Sequence, residues 1–386
     1  MRRVMNLKGL VCALLWSATA LGQTPFVVSP STNMQQWPAV HNGVVIWQEY
    51  VQYNNQWDWD IYGVDVINAP SELIGVAAFE ANQTHPSLWE TCAAWEDDYY
   101  GDTDVWVSDF SDTLNITTHS ISPYLNNQSF PRIHGNTVVW QHQIADPDTQ
   151  VLDWDIYAAD VTDPNNPLMY VVGAFSGDQQ YPDIYRSTIV WQDNYWGDND
   201  IAAADVWRRN EPEQHTLSSL TLDQTSPATD GKYVVWQEDF GAGDVDLYGA
   251  DISNPDQPVE LLISDAAGSQ INASLSGHLV VWQDNRNGNW DIYGFNLITR
   301  QEFQITNDKD DQIHPAIDNE LVVFEDDRSG MSAVYAVQLD GTAIADCTAS
   351  VSGDANGDCR VDMSDLAAIA SGWLTCGLEP IEACNK

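Results

Sequence analysis

The chain has 386 residues, of which 57 are acidic and 14 basic, for a formal net charge of −43. Phosphate binding needs clustered Lys and Arg, so a nucleic-acid partner is excluded. The acidic excess reads first as solubility outside the cell, and no run after the N-terminus is apolar over a length that spans a bilayer.

Residues 1–22 read as a secretory signal. Arg2, Arg3 and Lys8 precede the apolar stretch Gly9 to Ala20. Ala20-Leu21-Gly22 then places small residues where a signal peptidase reads, so the mature chain is expected to begin near Gln23. No Cys follows that site, which disfavours a lipid anchor. Cys12 leaves with the signal, and Cys92 falls in an apolar strand as a buried thiol. Cys347, Cys359, Cys376 and Cys384 crowd the C-terminal end; in an exported protein they suggest two disulfides, with three pairings open.

From Gly43 onward one motif recurs. GVVIWQE is followed by CAAWEDD, TVVWQH, TIVWQD, YVVWQED, LVVWQD and LVVFEDD, with the aromatic at Trp47, Trp95, Trp140, Trp191, Trp236, Trp282 and Phe324. At a constant offset before it stand Pro38, Pro86, Pro131, Pro182, Pro227, Ala273 and Pro315. Three residues earlier come Gln35, Gln83, Gln128, Gln179, Gln224, Gln270 and Gln312. After each aromatic comes a polar hairpin, then a strand such as DIYGVD from Asp60, DIYAAD from Asp155, DLYGAD from Asp246 or DIYGFN from Asp291. Segments such as Glu72 to Val76, Val259 to Ile263 and Phe303 to Thr306 supply a fourth strand. Four short strands per repeat, seven times over, predict an all-β fold: a seven-bladed β-propeller of four-stranded antiparallel blades over residues 23–343. Apolar runs such as Val44-Val45-Ile46 fit sheets covered on both faces by neighbouring blades. The last unit lacks a fourth strand, and Pro25 to Val28 is an orphan strand that would close the ring.

The repeat P-x-x-x-G-x-x-V-V-W-Q-D … D-I-Y resembles the TolB-type propeller repeat, over roughly Pro25 to Ala343. Such propellers also occur in peptidases and in oligogalacturonate lyases, so the resemblance implies a fold rather than one activity.

Antiparallel alternation brings the Gln-x-x-Pro segments and the acidic hairpins to one mouth of the central channel. The Gln ring and the Asp of D-I-Y recur in nearly every blade and are expected to satisfy turn and backbone hydrogen bonds. The residue before the proline position varies instead: Trp37, His85, Phe130, Tyr181, Ser226, Asn272 and His314. The rings and imidazoles among these are candidate ligand contacts. The hairpins add Tyr50, Tyr53, Trp57, Tyr99, Tyr100, Tyr195 and Trp196, whose apolar faces and polar tips suit saccharides or proteins. The hairpin Asp284 to Asn289 has closely spaced oxygen donors, although Asp, Asn and Gly are also ordinary turn residues. No G-x-S-x-G, H-x-H or H-E-x-x-H is present, and no catalytic residue is assigned.

Residues 344–386 form a separate C-terminal module. The segment Asp354 to Asp365 places oxygens at loop positions 1, 3, 5, 9 and 12, namely Asp354, Asn356, Asp358, Asp362 and Asp365. The carbonyl of Arg360 stands at position 7. That is an EF-hand type pattern for Ca2+. Leu366, Ile369, Trp373 and Leu374 follow on one helical face, making a small calcium loop–helix module. Cys359 replaces the usual Gly, and Asp365 replaces the usual Glu. The run D-x-N-x-D-x-x-V-D-x-x-D-L resembles one dockerin repeat, where two are the rule; the resemblance implies a possible cohesin-like partner. The leading expectation is therefore a secreted, non-catalytic binding protein at the cell surface or outside it. Its mouth would take a carbohydrate or an extracellular protein, and its tail would attach it to an assembly. The alternatives are a polysaccharide-active enzyme, lyase or glycosidase, working at the channel mouth, and a structural cell-surface protein.

Overall fold

A computed structural model describes residues 24–339, apart from 54, 123–124, 146–149, 208–211, 219–220 and 242. The signal segment and the C-terminal module, with Asp354, Asn356, Asp358, Arg360, Asp362 and Asp365, lie outside the described residues.

Each repeat folds into its own four-stranded antiparallel sheet, seven sheets in all among the described residues. Blade one runs outward through Gln35–His41, Val44–Tyr53, Gln56–Asp65 and Ala69–Ala77. Its first hairpin turns at Asn42 and Gly43, with φ of 49° and 79°. That pair of positive values gives the hairpin the twist of its strands. A Cβ on Gly43 would stand 2.4 Å from Ile67 Cδ1, so glycine is required there for space as well as conformation.

The ring closes as its sequence suggests. Phe26–Val27 pairs with Ala333–Gln338 of blade seven, with Phe26 opposite Ala336 and Val27 opposite Tyr335. Gln35 then reaches back, its Oε1 accepting from Val334 N at 3.1 Å. The last sheet thereby gains its fourth strand from the other end of the chain, and its edge is covered.

The core is shared between blades rather than enclosed within them. Trp95 of blade two packs with Ile46, Ile61 and Val76 of blade one, and Trp191 of blade four packs with Val139 and Ile156 of blade three. The seven repeat aromatics are all buried. Fully burying an aliphatic or aromatic side chain contributes roughly 1.5–3 kcal/mol. The repeat therefore spends its largest side chain on the blade interface.

One irregularity recurs in every blade and positions the candidate site. The ladder between first and second strands slips between Gln36 and Ala39, and at the equivalent point of the other six blades. The residue before the proline position takes a left-handed φ: 51° at Trp37, 49° at His85, 52° at Phe130, 51° at Tyr181, 50° at Ser226, 55° at Asn272 and 49° at His314. Such conformations cost bulky residues on the order of 1–3 kcal/mol each. The following proline has no N–H to lose from the ladder, so it suits a bulge. The bulged N–H itself is taken by the neighbouring blade. Gln48 Oε1 accepts from His85 N at 2.9 Å, Gln141 Oε1 from Tyr181 N at 2.9 Å and Gln283 Oε1 from His314 N at 2.8 Å. Gln192 and Gln237 do the same for Ser226 and Asn272, and Glu96 and Glu325 for Phe130 and Trp37. The residue after each core aromatic is thus a clasp between blades, and seven clasps complete the circle.

Candidate functional site

The bulges turn seven side chains into the channel at the end where Gln35 faces Glu49, the foot of the second hairpin. They line one cavity of ≈ 350 Å³ that runs through the centre of the ring. Rings crowd one side of it. Trp37 stacks on His314 at 4.0 Å between centroids and meets His85 edge-on at 4.8 Å. His85 lies 5.1 Å from Phe130, and Phe130 4.7 Å from Tyr181. Ser226 and Asn272 complete the opposite wall. Five of the ligand residues expected from sequence, Trp37, His85, Phe130, Tyr181 and His314, are therefore brought together as one continuous belt.

The two imidazoles are set apart from the rest by their partners. In five blades the clasp is Gln, but in blades two and seven it is Glu, and those are the blades whose bulged residue is His. Glu96 Oε2 lies 3.0 Å from His85 Nδ1, while Oε1 accepts from Phe130 N at 2.7 Å. Glu325 Oε1 takes both His314 Nδ1, at 2.7 Å, and Trp37 N, at 2.9 Å. A carboxylate only accepts, so Nδ1 carries the proton and Nε2 of the neutral ring keeps a lone pair for the channel. The pairing of His with Glu was present in the sequence as HPSLWETCAAWE and HPAIDNELVVFE. It was missed because the clasp role of the second residue shows only across the blade interface.

Two further layers lie deeper. At the waist, small residues such as Ala39 and Ala316 leave room for Arg132 and Asp183 on adjacent blades. Burial raises the Asp183 carboxyl above its usual range, against the opposing pull of Arg132 and of Thr229 N, which donates at 2.8 Å. At the far mouth a second belt joins His41 to Trp89 at 4.1 Å, Trp89 to His134 at 3.7 Å and His134 to Tyr185 at 4.5 Å. Burial lowers His41, and pushes His134 down to about 4 with Arg186 and His41 adding to the effect. This belt was not expected. Its signal is a column four residues after the first, at the far end of the same strands.

The hairpin aromatics reach the same face as the first mouth but stay outside the cavity, in separate clusters. Tyr50 stacks on Trp57 at 5.1 Å, with Tyr53 exposed beyond them. Tyr99 and Tyr100 meet at 5.2 Å, and Tyr195 and Trp196 at 4.7 Å. In the Asp284 to Asn289 hairpin, Arg286 Nε donates to Asp284 Oδ1 at 2.9 Å, so a guanidinium already occupies the donors considered for a cation. The expected turn role holds for the Gln ring except in blade six, where Nε2 and Oε1 of Gln270 are both buried with no partner. Gln179 Nε2 donates to Gly177 O at 3.0 Å and its Oε1 accepts from Phe175 N at 3.0 Å. It fails for the D-I-Y aspartates Asp60 and Asp291, which accept from side chains instead, Asp60 from Tyr62 Oη and Asp291 from Asn287 and Gln304, and Asp291 Oδ1 is buried with no partner.

Searched by sequence, the chain matches no family model and no curated protein. Its fold matches many solved structures. A puromycin-hydrolysing peptidase of Mycobacterium tuberculosis is 14% identical at a TM-score of 0.58, over 83% of this chain and 54% of that one. The propeller domain of the Trilobed protease of Pyrococcus furiosus is 12% identical at 0.59, over 79% and 93%. An oligogalacturonate lyase of Vibrio parahaemolyticus is 11% identical at 0.58, over 84% and 99%. The chain spans about half the length of the mycobacterial peptidase. Identities this low carry the fold alone: an all-β seven-bladed propeller. Even so, the three proteins named are enzymes or the propeller of one, and the expectation of a non-catalytic binding protein is corrected on that finding.

Proposed function

We propose that the chain is a polysaccharide-active enzyme of the eliminative type, with its reacting groups at the mouth that carries His85 and His314. The observation behind this reading is the pair of His–Glu contacts flanking Trp37. Each ring is oriented through Nδ1, presents Nε2 to the cavity and is accessible to solvent, with 25% and 21% of the side chain exposed. Elimination needs one base to remove a carbon-bound proton and one acid to protonate the departing sugar oxygen as the C–O bond breaks and a C=C bond forms. An imidazole can fill either role, and the mouth carries two. Hydrolysis by the usual route needs two carboxyl groups facing the bond. Among the described residues the carboxylates at this mouth, Glu96 and Glu325, are engaged by the imidazoles and by backbone N–H groups. Trp37, Phe130 and Tyr181 give a sugar ring apolar faces to lie on. That the Vibrio lyase is matched over nearly its whole length supports a propeller able to house an active site by itself.

Tail and export belong to the same proposal. Asp354, Asn356, Asp358, Asp362, Asp365 and the Arg360 carbonyl would bind Ca2+ in a secreted protein, and the tail would meet a cohesin-like partner.

The test is a panel of polysaccharides incubated with the full chain. Products would be followed by the ultraviolet absorbance of the new C=C bond and, separately, by reducing ends. Absorbance that is lost in His85→Ala and in His314→Ala supports the proposal. Reducing ends without absorbance, or cleavage that survives both variants, overturns it.

A further inference from the structure

The blades act as internal controls for one another at the hairpin between their second and third strands. Blades two, four, six and seven open this hairpin with the same turn. Oδ1 of Asp97, Asp193, Asp284 and Asp326 accepts from the backbone N–H two residues on, at 2.9 Å in each case. In blades six and seven that second residue is Arg. Arg286 folds back on Asp284, and Arg328 Nε donates to Asp326 Oδ1 at 2.8 Å. Each guanidinium also lies over a tyrosine of the next strand, 4.2 Å from the Tyr293 centroid and 4.8 Å from that of Tyr335. In blades two and four the same position is Tyr99 and Tyr195, so the guanidinium is missing.

The carboxylates, however, are more numerous there. Asp104 lies directly across the ladder from Asp97, and Asp200 from Asp193. Asp102 and Asp198 stand two residues earlier. Asp104 and Asp200 are 2% and 4% exposed, and Oδ1 of each is buried without a hydrogen-bond partner. The matching position of blade six, Asp291, shares the unpartnered Oδ1, but its Oδ2 receives Asn287 and Gln304 side chains at 3.2 Å each, and the matching position of blade seven is Ala333. Like charges directly opposed on a ladder repel, and a buried carboxylate oxygen without a donor is costly. Burial, then Asp102 and Asp97, raises Asp104 to about 6; burial, then Asp198 and Asp193, does the same for Asp200.

We propose that the hairpins of blades two and four each bind a divalent cation of the calcium type, between Asp97 and Asp104 in one and between Asp193 and Asp200 in the other. The ion takes the place that a guanidinium fills in blades six and seven. Asp102 and Asp198 add charge through water. Among the described residues no three His, Cys, Asp or Glu side chains converge tightly enough to hold a metal unaided. Backbone carbonyls and water therefore supply most of the roughly six to eight oxygens that calcium takes. Such a site binds weakly, in the range of extracellular modules, about 10⁻⁴–10⁻³ M.

The experiment is thermal melting of the full chain in chelator and in millimolar Ca2+, alongside three variants. Asp354→Ala/Asp358→Ala silences the C-terminal loop. Asp104→Asn/Asp200→Asn removes one carboxylate of each pair. Tyr99→Arg/Tyr195→Arg installs the guanidinium of the other blades. Calcium is expected to raise the Tm of the wild type and of the loop variant alike, and to leave the Asn variant unmoved. The Arg variant is expected to melt higher than wild type in chelator and to lose its response to calcium, which separates ion replacement from simple misfolding. A wild type indifferent to calcium overturns the proposal. So does a response that survives in the Asn variant or vanishes in the loop variant.

Discussion

Glu96→Gln tests the reading of the mouth most sharply, because the change is nearly isosteric and Gln is already the clasp in five blades. Glu96 uses its two oxygens separately: Oε1 for Phe130 N and Oε2 for His85 Nδ1. An amide has one oxygen. If that oxygen stays with Phe130 N, the NH2 group faces Nδ1, which must then accept. The proton of the neutral ring moves to Nε2, and the lone pair leaves the channel. Both hydrogen bonds survive in number, so stability should change by no more than about 1 kcal/mol. A base turned into a donor forfeits the roughly 10²–10⁴-fold that general acid–base catalysis contributes. Nitrogen NMR of the imidazoles reads the tautomer without any substrate, and the cleavage assay reads its consequence. Glu325→Gln is the contrast. There one oxygen, Oε1, serves both His314 and Trp37 N, so the amide can keep both contacts and leave the tautomer alone. The expected loss of rate is within about tenfold, well short of the general acid–base range. Equal losses in the two variants, or an unchanged His85 tautomer in Glu96→Gln, would refute the argument.

Two further outcomes follow from the same contacts. Gln141→Leu should strand the half-buried N–H of Tyr181 and cost about 1 kcal/mol, read as a shifted denaturation midpoint with activity per folded molecule less affected. In metal-free buffer, stability should respond to pH in two opposed ways. Asp60, Asp246 and Asp291 are raised to about 6, chiefly by burial, so the folded chain holds more protons than the unfolded one between about 4 and 6. Their contribution grows as pH falls through 6 and is lost as pH rises past it. His134, held down near 4, works the other way, since the unfolded imidazole protonates first as pH falls below its ordinary value. Asp104 and Asp200 join the first group, and His41 and His142, also lowered by burial, join the second; with five carboxyl groups against three imidazoles, melting at pH 5 should exceed melting at pH 8, and the reverse order would contradict these assignments.

What was legible in the sequence was whatever repeats within one blade. The aromatic at Trp47 and its copies, the D-I-Y strand and the orphan segment near Phe26 each carry a local pattern, and each forms the element it suggested. What was illegible depends on the next blade. Gln48, Gln141 and Gln283 look like turn polars beside a tryptophan, and nothing local says that they hold a backbone N–H 37, 40 and 31 residues away. The substitution of Glu for Gln at 96 and 325 reads as conservative until His85 and His314 are seen on those carboxylates. The far belt of His41, Trp89, His134 and Tyr185 was hidden for the same reason, being spread over four blades as single residues. A propeller builds its fold from what its repeats share, and its channel chemistry can differ only where they diverge. Divergence is therefore better sought as paired changes on neighbouring strands of one blade than as unusual residues. His with Glu in blades two and seven is one such pair. Tyr with Asp102 or Asp198 in blades two and four, against Arg with Asn289 in blade six, is another. Both pairs change a charge at a position whose backbone role is held constant, which is how a ring of near-identical sheets acquires a site without losing its symmetry of support.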